Sequence, residues 1–238
     1  MPETVAERVT GTAPRCRDGT GEVIASWTGG KDGCYACYLA MEAGDRVTHL
    51  FHFRNRDGHG SHALNPALVR AQARAIGLPL VQREGASYEE EFGEAVRSLR
   101  AAGVRVDGAV FGHLETHGAL VDRLCRDLAI EPLMPLWKRD AAQILDGMIN
   151  AGFEALVVSA RADPMGREWL GRRIDRDFIR DLAEHDGSIN PCGENGEFHT
   201  LVVDGPIFRK RVAITAGEPV LREGYWHLGI AGWELEDC

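Results

Sequence analysis

Ser26-Trp27-Thr28-Gly29-Gly30-Lys31-Asp32-Gly33 follows the short apolar run Val23-Ile24-Ala25 and precedes Cys34-Tyr35-Ala36-Cys37-Tyr38-Leu39-Ala40-Met41. That order predicts a strand, a glycine turn and a helix. Two glycines beside Thr28 and Lys31 let the backbone bend tightly. The N–H groups at the helix start then point at an anion, and the helix dipole adds partial positive charge. The turn is a candidate phosphate cradle. It is neither the Walker spacing G-x-x-x-x-G-K-[ST] nor the dinucleotide spacing G-x-G-x-x-G. Strand–turn–helix units with glycines also occur without any phosphate to hold, so the rest of the chain must decide.

Outward from the turn, Gly44 ends the first helix and Arg46 to Phe53 supplies a second strand rich in β-formers. Arg54 to Ser61 reads as a loop at that strand's carboxyl end, where ligands sit in open parallel sheets. His59 and His62 fall in it, as substrate contacts, solvent-facing residues or, less well supported, metal ligands. Asn65-Pro66 starts a helix in which Leu68, Val69, Gln72, Ala73 and Ile76 recur at helical spacing until Gly77. Leu78 to Val81 is a third strand. Ser87 caps a helix whose Glu89, Glu90 and Glu91 compensate the dipole. Val106 to Gly112 is a fourth strand delivering His113, Glu115, Thr116 and His117, and Glu131 to Trp137 is a fifth extended piece. Five strands alternating with four helices predict an α/β fold, a doubly wound five-stranded parallel sheet.

After Trp137 the pattern changes. A helix through Ile144 and Met148 leads to Phe153–Ser159, a helix follows over Asp177–Glu184, and Phe198–Val203, Arg211–Thr215 and Tyr225–Leu228 alternate as in a mixed or antiparallel sheet. The expected organisation is a flexible N-terminus over 1–21, a first domain over 22–137 and a second, smaller α/β domain over 138–238, packed so that the two share a cleft.

A chain of 238 residues with 44% hydrophobic content can fill a substantial core. No run of about 18 apolar residues suits a membrane span, and Met1 to Gly21 lacks the apolar centre of a signal peptide. The expectation is a soluble cytoplasmic protein. A net charge of −9 argues against nucleic acid and anionic membranes as partners. The six cysteines have no paired zinc spacing. Cys34 and Cys37 sit in a helix that must pack on the sheet, and are expected as buried structural thiols.

The second informative stretch is Asn190-Pro191-Cys192-Gly193-Glu194-Asn195-Gly196-Glu197-Phe198-His199-Thr200-Leu201. A core strand would not begin this way. It is either a turn with exposed acids or a site where Glu194, Asn195 and Glu197 face a polar substrate or a nucleotide-bound magnesium, which needs only one or two carboxylates beside phosphates and waters. The glycine turn resembles the S-G-G-x-D-S loop of the PP-loop ATP pyrophosphatases (adenine nucleotide alpha hydrolase-like). Over about Val23 to Phe208 the chain resembles the diphthine-ammonia ligase family of those enzymes. The matching pieces are Thr28-Gly29-Gly30-Lys31-Asp32, Leu68 through Pro79, Pro135-Leu136-Trp137, Ala151-Gly152-Phe153, Trp169-Leu170-Gly171-Arg172-Arg173-Ile174-Asp175 and Asn190 through Phe208. Thr28 keeps the hydroxyl of the loop's usual first serine; Gly33 lacks that of the last. Gly112 to His117 lacks the tyrosine-arginine pattern of archaeal and eukaryotic members and looks more like bacterial ones. Bacteria do not make diphthamide, so a different substrate is expected.

The resemblance implies ATP-dependent amidation: a small-molecule or protein carboxylate is adenylated, pyrophosphate leaves, and ammonia or another amine displaces AMP. It implies ATP and Mg2+ as cofactors. Ser26, Thr28, Gly29, Gly30, Lys31, Asp32 and Gly33 would hold the nucleotide, with His52, Phe53, Gly112 and His113 at neighbouring strand ends. Lys31 would neutralise the leaving pyrophosphate and Asp32 would orient the metal. Glu194, Glu197 and His199 would act on the acceptor, with His62, Arg172, Arg173, Asn195 and Thr200 binding it. A lysine on such a turn is expected to face solvent, and a homodimer is compatible with this reading. Two alternatives stand beside it: a sulfur-insertion enzyme, which needs a reactive cysteine and a basic RNA face, and a nucleotide sensor without turnover.

Overall fold

The computed structural model describes residues 21–55 and 64–237; the expected flexible N-terminus over 1–20, His59 and His62 lie outside them. The first sheet holds β1 (Glu22–Ser26), β2 (Arg46–Asn55), β3 (Leu80–Gly85), β4 (Gly108–Val110) and β5 (Glu131–Leu133). They are all parallel, in the order β3-β2-β1-β4-β5. Its helices are α1 (Lys31–Glu42), α2 (Pro66–Ile76), α3 (Tyr88–Ala101) and α4 (Gly118–Leu128). Their ends follow local chemistry: Asn65 accepts from Ala67 N at 2.9 Å ahead of Pro66, and Gly77 takes φ 82° to close α2. The third strand runs further than its apolar letters, through Arg83 and Glu84. It is the sheet edge, where charges are solvated and Arg54 can pair with Glu84 across the strands.

The second sheet is antiparallel, in the order β7 (Phe198–Asp204), β6 (Glu154–Arg161), β9 (Tyr225–Asp237), β8 (Lys210–Arg222). Two helices accompany it, α5 (Ala141–Asn150) and α6 (Arg176–His185). The β8–β9 hairpin is much longer than the alternating stretches within it, pairing Lys210 with Asp237 through to Arg222 with Tyr225. Gly217 sits at a register shift and Pro219 lies on an edge strand, the two places a strand tolerates such residues.

The apolar residues fall into two clusters. One face of the first sheet buries Ile24, Phe51 and Phe111 against Phe92 and Val96 of α3 and Val121 and Leu124 of α4. The other cluster is continuous from the first sheet to the second: Val23 and Ala25, Cys34 and Cys37 of α1, Leu68 and Val69 of α2, Leu145 of α5, and Val157, Leu201 and Val202 of β6 and β7. Helices α1 and α2 are therefore packed on both sides. This shared core carries the start of α1 against β7, which places the glycine turn beside the second sheet. Cys34 and Cys37 are buried free thiols, as the packing of α1 requires.

Candidate functional site

β1 ends at Ser26, and Trp27 continues the line by donating its backbone N–H to Phe51 O at 2.7 Å. The Trp27 indole, 1% exposed, donates through Nε1 to Gln72 Oε1 at 2.8 Å. Gly29 then turns left-handed at φ 87°, and a Cβ there would stand 2.9 Å from Gln72 Oε1, so the turn needs glycine on both counts. Its carbonyl accepts from Val202 N and from Gln72 Nε2, both at 3.0 Å, and Gln72 Nε2 also reaches Val202 O at 2.7 Å. Gly30 is the N-cap of α1 and brings no side chain to the first-turn N–H groups. Thr28 Oγ1 accepts from Gly30 N at 3.4 Å, and Thr200 Oγ1 of β7 accepts from Lys31 N at 3.0 Å. The turn is built jointly by both sheets.

Gly112 completes it from the other side. A Cβ on Gly112 would lie 2.6 Å from Gly33 N and 2.7 Å from the Asp32 carbonyl carbon. The strand end and the turn touch backbone to backbone. A Cβ on Gly33 would meet only Ser26 O, at 3.5 Å, so the turn has room for the missing serine.

Lys31 corrects one expectation: it is 2% exposed rather than facing solvent. Nζ donates to both Asp32 oxygens, at 2.9 and 2.7 Å, and to Cys192 O at 2.5 Å. Burial alone would lower its pKa, but the Asp32 carboxylate, with Glu194 further off, holds it above the ordinary value. Asp32 is accordingly paired with Lys31, and among the described residues no group of three or more metal-binding side chains is present.

The stretch from Asn190 folds as a loop closed by its own acid. Glu197 is buried and accepts from Asn190 N at 3.1 Å, Asn195 N at 2.9 Å and Asn195 Nδ2 at 3.0 Å. Burial pushes its carboxyl up, and these donors more than offset that to leave it below the usual range. Its carboxylate organises the loop, and Asn195 is its partner. Glu194 is different: half-buried, its carboxyl is raised by burial first and then by Asp32. His199 stacks on Tyr225, ring centroids 6.4 Å apart, and is pushed down to about 4 by burial, Lys31 and His227. His113 is likewise held at about 4 by burial and by His117, whose ring is 4.9 Å away. Both imidazoles are neutral at pH 7.

Other expected site residues have protein partners of their own. Ser26 Oγ accepts from Tyr88 OH at 2.8 Å, and Phe53 packs edge-on against Tyr88 with centroids 5.7 Å apart. His52, buried, shares a hydrogen bond between Nδ1 and Trp27 O at 2.9 Å. Arg172 and Arg173 form no free clamp. Arg172 is bound to Asp181 at 2.6 Å and lies over Trp169 and Phe178, while Arg173 pairs with Glu154 at 2.8 Å. The Arg172 guanidinium ties its loop to α6 and that of Arg173 ties it to β6, and Asp175 caps α6 by accepting from Phe178 N at 2.8 Å.

Gln72, Tyr225 and the carbonyl of Cys192 also belong to the site, and no motif in the sequence marks them. Gln72 did leave a signal: a polar side chain at a core position of α2, fully buried, must spend its amide on something.

The fold and the site define an α/β protein whose short glycine turn after β1 is anchored by a second, antiparallel sheet. Residues 21–132 match the family model described as diphthamide synthase N-terminal domain, and residues 140–234 match diphthamide synthase C-terminal domain. The chain belongs to the diphthamide synthase family. Among curated proteins it is similar to diphthine–ammonia ligase of Danio rerio, 29% identical with 84% of this chain and 88% of that one covered. It is similar also to that of Homo sapiens, 27% identical with 84% and 85% covered. A solved structure titled predicted subunit of tRNA methyltransferase from Methanocaldococcus jannaschii matches with TM-score 0.40 and 13% identity, covering 78% of this chain and 97% of that one; it carries no argument here. No helix among the described residues is long and apolar enough to cross a membrane.

Proposed function

We propose that this chain is an AMP-forming ligase that adenylates a carboxylate with ATP and converts it to an amide with ammonia or another amine. The observation that carries the reading is the double anchoring of the glycine turn. Thr200, Val202 and Gln72 hold its backbone, and Lys31 bridges Asp32 to the Cys192 carbonyl. The nucleotide turn and the acidic loop thus form one wall, so an acceptor on the loop lies next to phosphate on the turn. Residues 22–137 would hold the nucleotide and 138–238 the acceptor.

In this reading the acceptor carboxylate oxygen attacks the α-phosphorus, the bond to the β-phosphate oxygen breaks, and pyrophosphate leaves towards the N–H groups of the turn. The amine nitrogen then attacks the acyl carbon, AMP departs, and the nitrogen sheds a proton. Lys31, already neutralising Asp32, keeps the wall from repelling phosphate. Glu197 acts as a positioning residue through the loop it closes, and neutral His199 presents an uncharged ring to the incoming amine. Asp32 and Glu194 would hold a magnesium ion: Glu194, raised by burial first and then by the Asp32 charge, feels that second carboxylate, and one or two carboxylates are what that ion takes from protein. When bound it would neutralise charge on the phosphates.

The departures at Gly112 to His117 favour an acceptor other than diphthine. Against sulfur insertion, the free cysteines among the described residues, Cys34, Cys37, Cys125 and Cys192, are all buried, and burial raises each thiol, where a persulfide carrier needs an accessible thiolate. The test is incubation with magnesium-ATP, labelled ammonium and a panel of carboxylic acids. Acid-dependent pyrophosphate release with label in an amide is expected. ATP binding with no acid-dependent turnover would leave a sensor.

A further inference from the structure

His52 stands at the carboxyl end of β2, beside the residue that leads into the glycine turn. Its Nδ1 is 2.9 Å from the Trp27 carbonyl. A carbonyl only accepts, so Nδ1 must carry the ring proton. Burial lowers the ring's pKa below the ordinary imidazole value against the opposing hydrogen bond to the Trp27 carbonyl, and the nearby Arg54 and Arg70 charges lower it further, so a second ring proton is disfavoured. Nε2 is then a bare lone pair, and it is buried with no hydrogen-bond partner among the described residues. His52 as a whole is 8% exposed. A buried acceptor left unmatched is costly and uncommon, and a ligand that brings the missing donor is one of its ordinary explanations.

A ligand seated at the turn can bring that donor. Phosphate oxygens cannot supply it, because they are acceptors too and would be repelled by the lone pair. The opposite sheet face is closed to this ring, since neighbouring Phe53 points there and packs on Tyr88. What remains of a nucleotide is its nucleoside: the amino group of the base, or a ribose hydroxyl.

We propose that His52, locked as its Nδ1–H tautomer by the Trp27 carbonyl, uses Nε2 to accept a hydrogen bond from the nucleoside part of ATP and so selects the nucleotide. The 6-amino group of adenine is the donor that fits best. Guanine and hypoxanthine place an oxygen acceptor at that position, which would face the lone pair and be rejected. The inference rests on the nucleotide reading of the turn.

The experiment is calorimetric titration of the intact protein, with magnesium, using ATP, purine riboside triphosphate, which lacks only the 6-amino group, and 2′-deoxy and 3′-deoxy ATP. The native protein should bind purine riboside triphosphate about tenfold more weakly than ATP, the worth of one hydrogen bond. His52→Phe, which keeps a planar ring and removes the acceptor, should bind the two alike. His52→Gln, which retains both a donor and an acceptor, covers the case in which the Phe variant does not fold, and should keep part of the discrimination. Loss of discrimination in His52→Phe against a deoxy analogue instead would assign the same lone pair to that ribose hydroxyl. Native discrimination that survives unchanged in His52→Phe overturns the inference alone. A native protein that binds none of these nucleotides overturns the nucleotide reading and this inference with it.

Discussion

Replacing Gln72 with Leu keeps the side-chain volume and removes three hydrogen bonds at once: from Trp27 Nε1 at 2.8 Å, to Gly29 O at 3.0 Å and to Val202 O at 2.7 Å. The consequences differ by partner. The Gly29 carbonyl keeps Val202 N at 3.0 Å, whereas the Trp27 indole N–H is left buried with nothing to bond. Losing the two carbonyl bonds, worth about 1 kcal/mol each, and orphaning one buried donor at roughly 1–3 kcal/mol gives a destabilisation of about 3–5 kcal/mol. At roughly 2–4 °C per kcal/mol for a chain of this size, the melting temperature should drop by about 6–20 °C. Because the lost bonds hold the left-handed Gly29, ATP affinity should fall as well. Differential scanning calorimetry reads the first effect, and nucleotide titration well below the melting point reads the second. A Gln72→Leu protein melting within about 2 °C of the native one and binding ATP equally would refute the claim that this amide sets the turn.

Gly112→Ala should weaken ATP binding at least tenfold, since its Cβ would stand 2.6 Å from Gly33 N and backbone cannot yield cheaply. Gly33→Ala, whose Cβ meets only Ser26 O at 3.5 Å, should keep its melting temperature; titrating both variants checks the contrast. Glu197→Gln exchanges one accepting oxygen for a donor against N–H groups and should cost about 2 kcal/mol, read as a lower urea midpoint. Stability should also fall with acid. His113 and His199 sit at about 4 against an ordinary 6.5. Between those values the unfolded chain binds protons that the folded one refuses, so stability present at pH 7 is lost as pH drops from 6.5 towards 4. The effect is on the order of 3 kcal/mol after discounting partial exposure, and unfolding curves at pH 7 and 4.5 measure it.

Much of the first sheet was legible because its signals are local. Asn65-Pro66, Gly77 and Ser87 each mark an end by their own backbone chemistry, and they stand there in the structure. The glycine turn was legible as a turn. What it rests on was not, since Thr200, Val202 and the Cys192 carbonyl come from well over a hundred residues away and nothing near Lys31 announces them. Lys31 was misplaced for that reason: a lysine beside two glycines looks solvated until a second sheet closes over it. Arg172 and Arg173 looked like an anion clamp because adjacent arginines on a turn resemble one, whereas Asp181 and Glu154, which consume them, are set by the packing of α6 and β6. The hairpin failed differently. Gly217 and Pro219 break strands on average, and here the register shift at Gly217 and the edge position of β8 make them harmless.

The identity of the product nucleotide tests the central claim most directly. A Walker turn places its lysine at the β- and γ-phosphates for terminal transfer, whereas this shorter turn, with Lys31 already spent on Asp32 and the Cys192 carbonyl, is proposed to hold the β- and γ-phosphates as a leaving group. Chromatography of the nucleotides after incubation with magnesium-ATP, ammonium and an accepted acid should find AMP and pyrophosphate in equal amounts, matched by amide. ADP and orthophosphate as the stoichiometric products would contradict it.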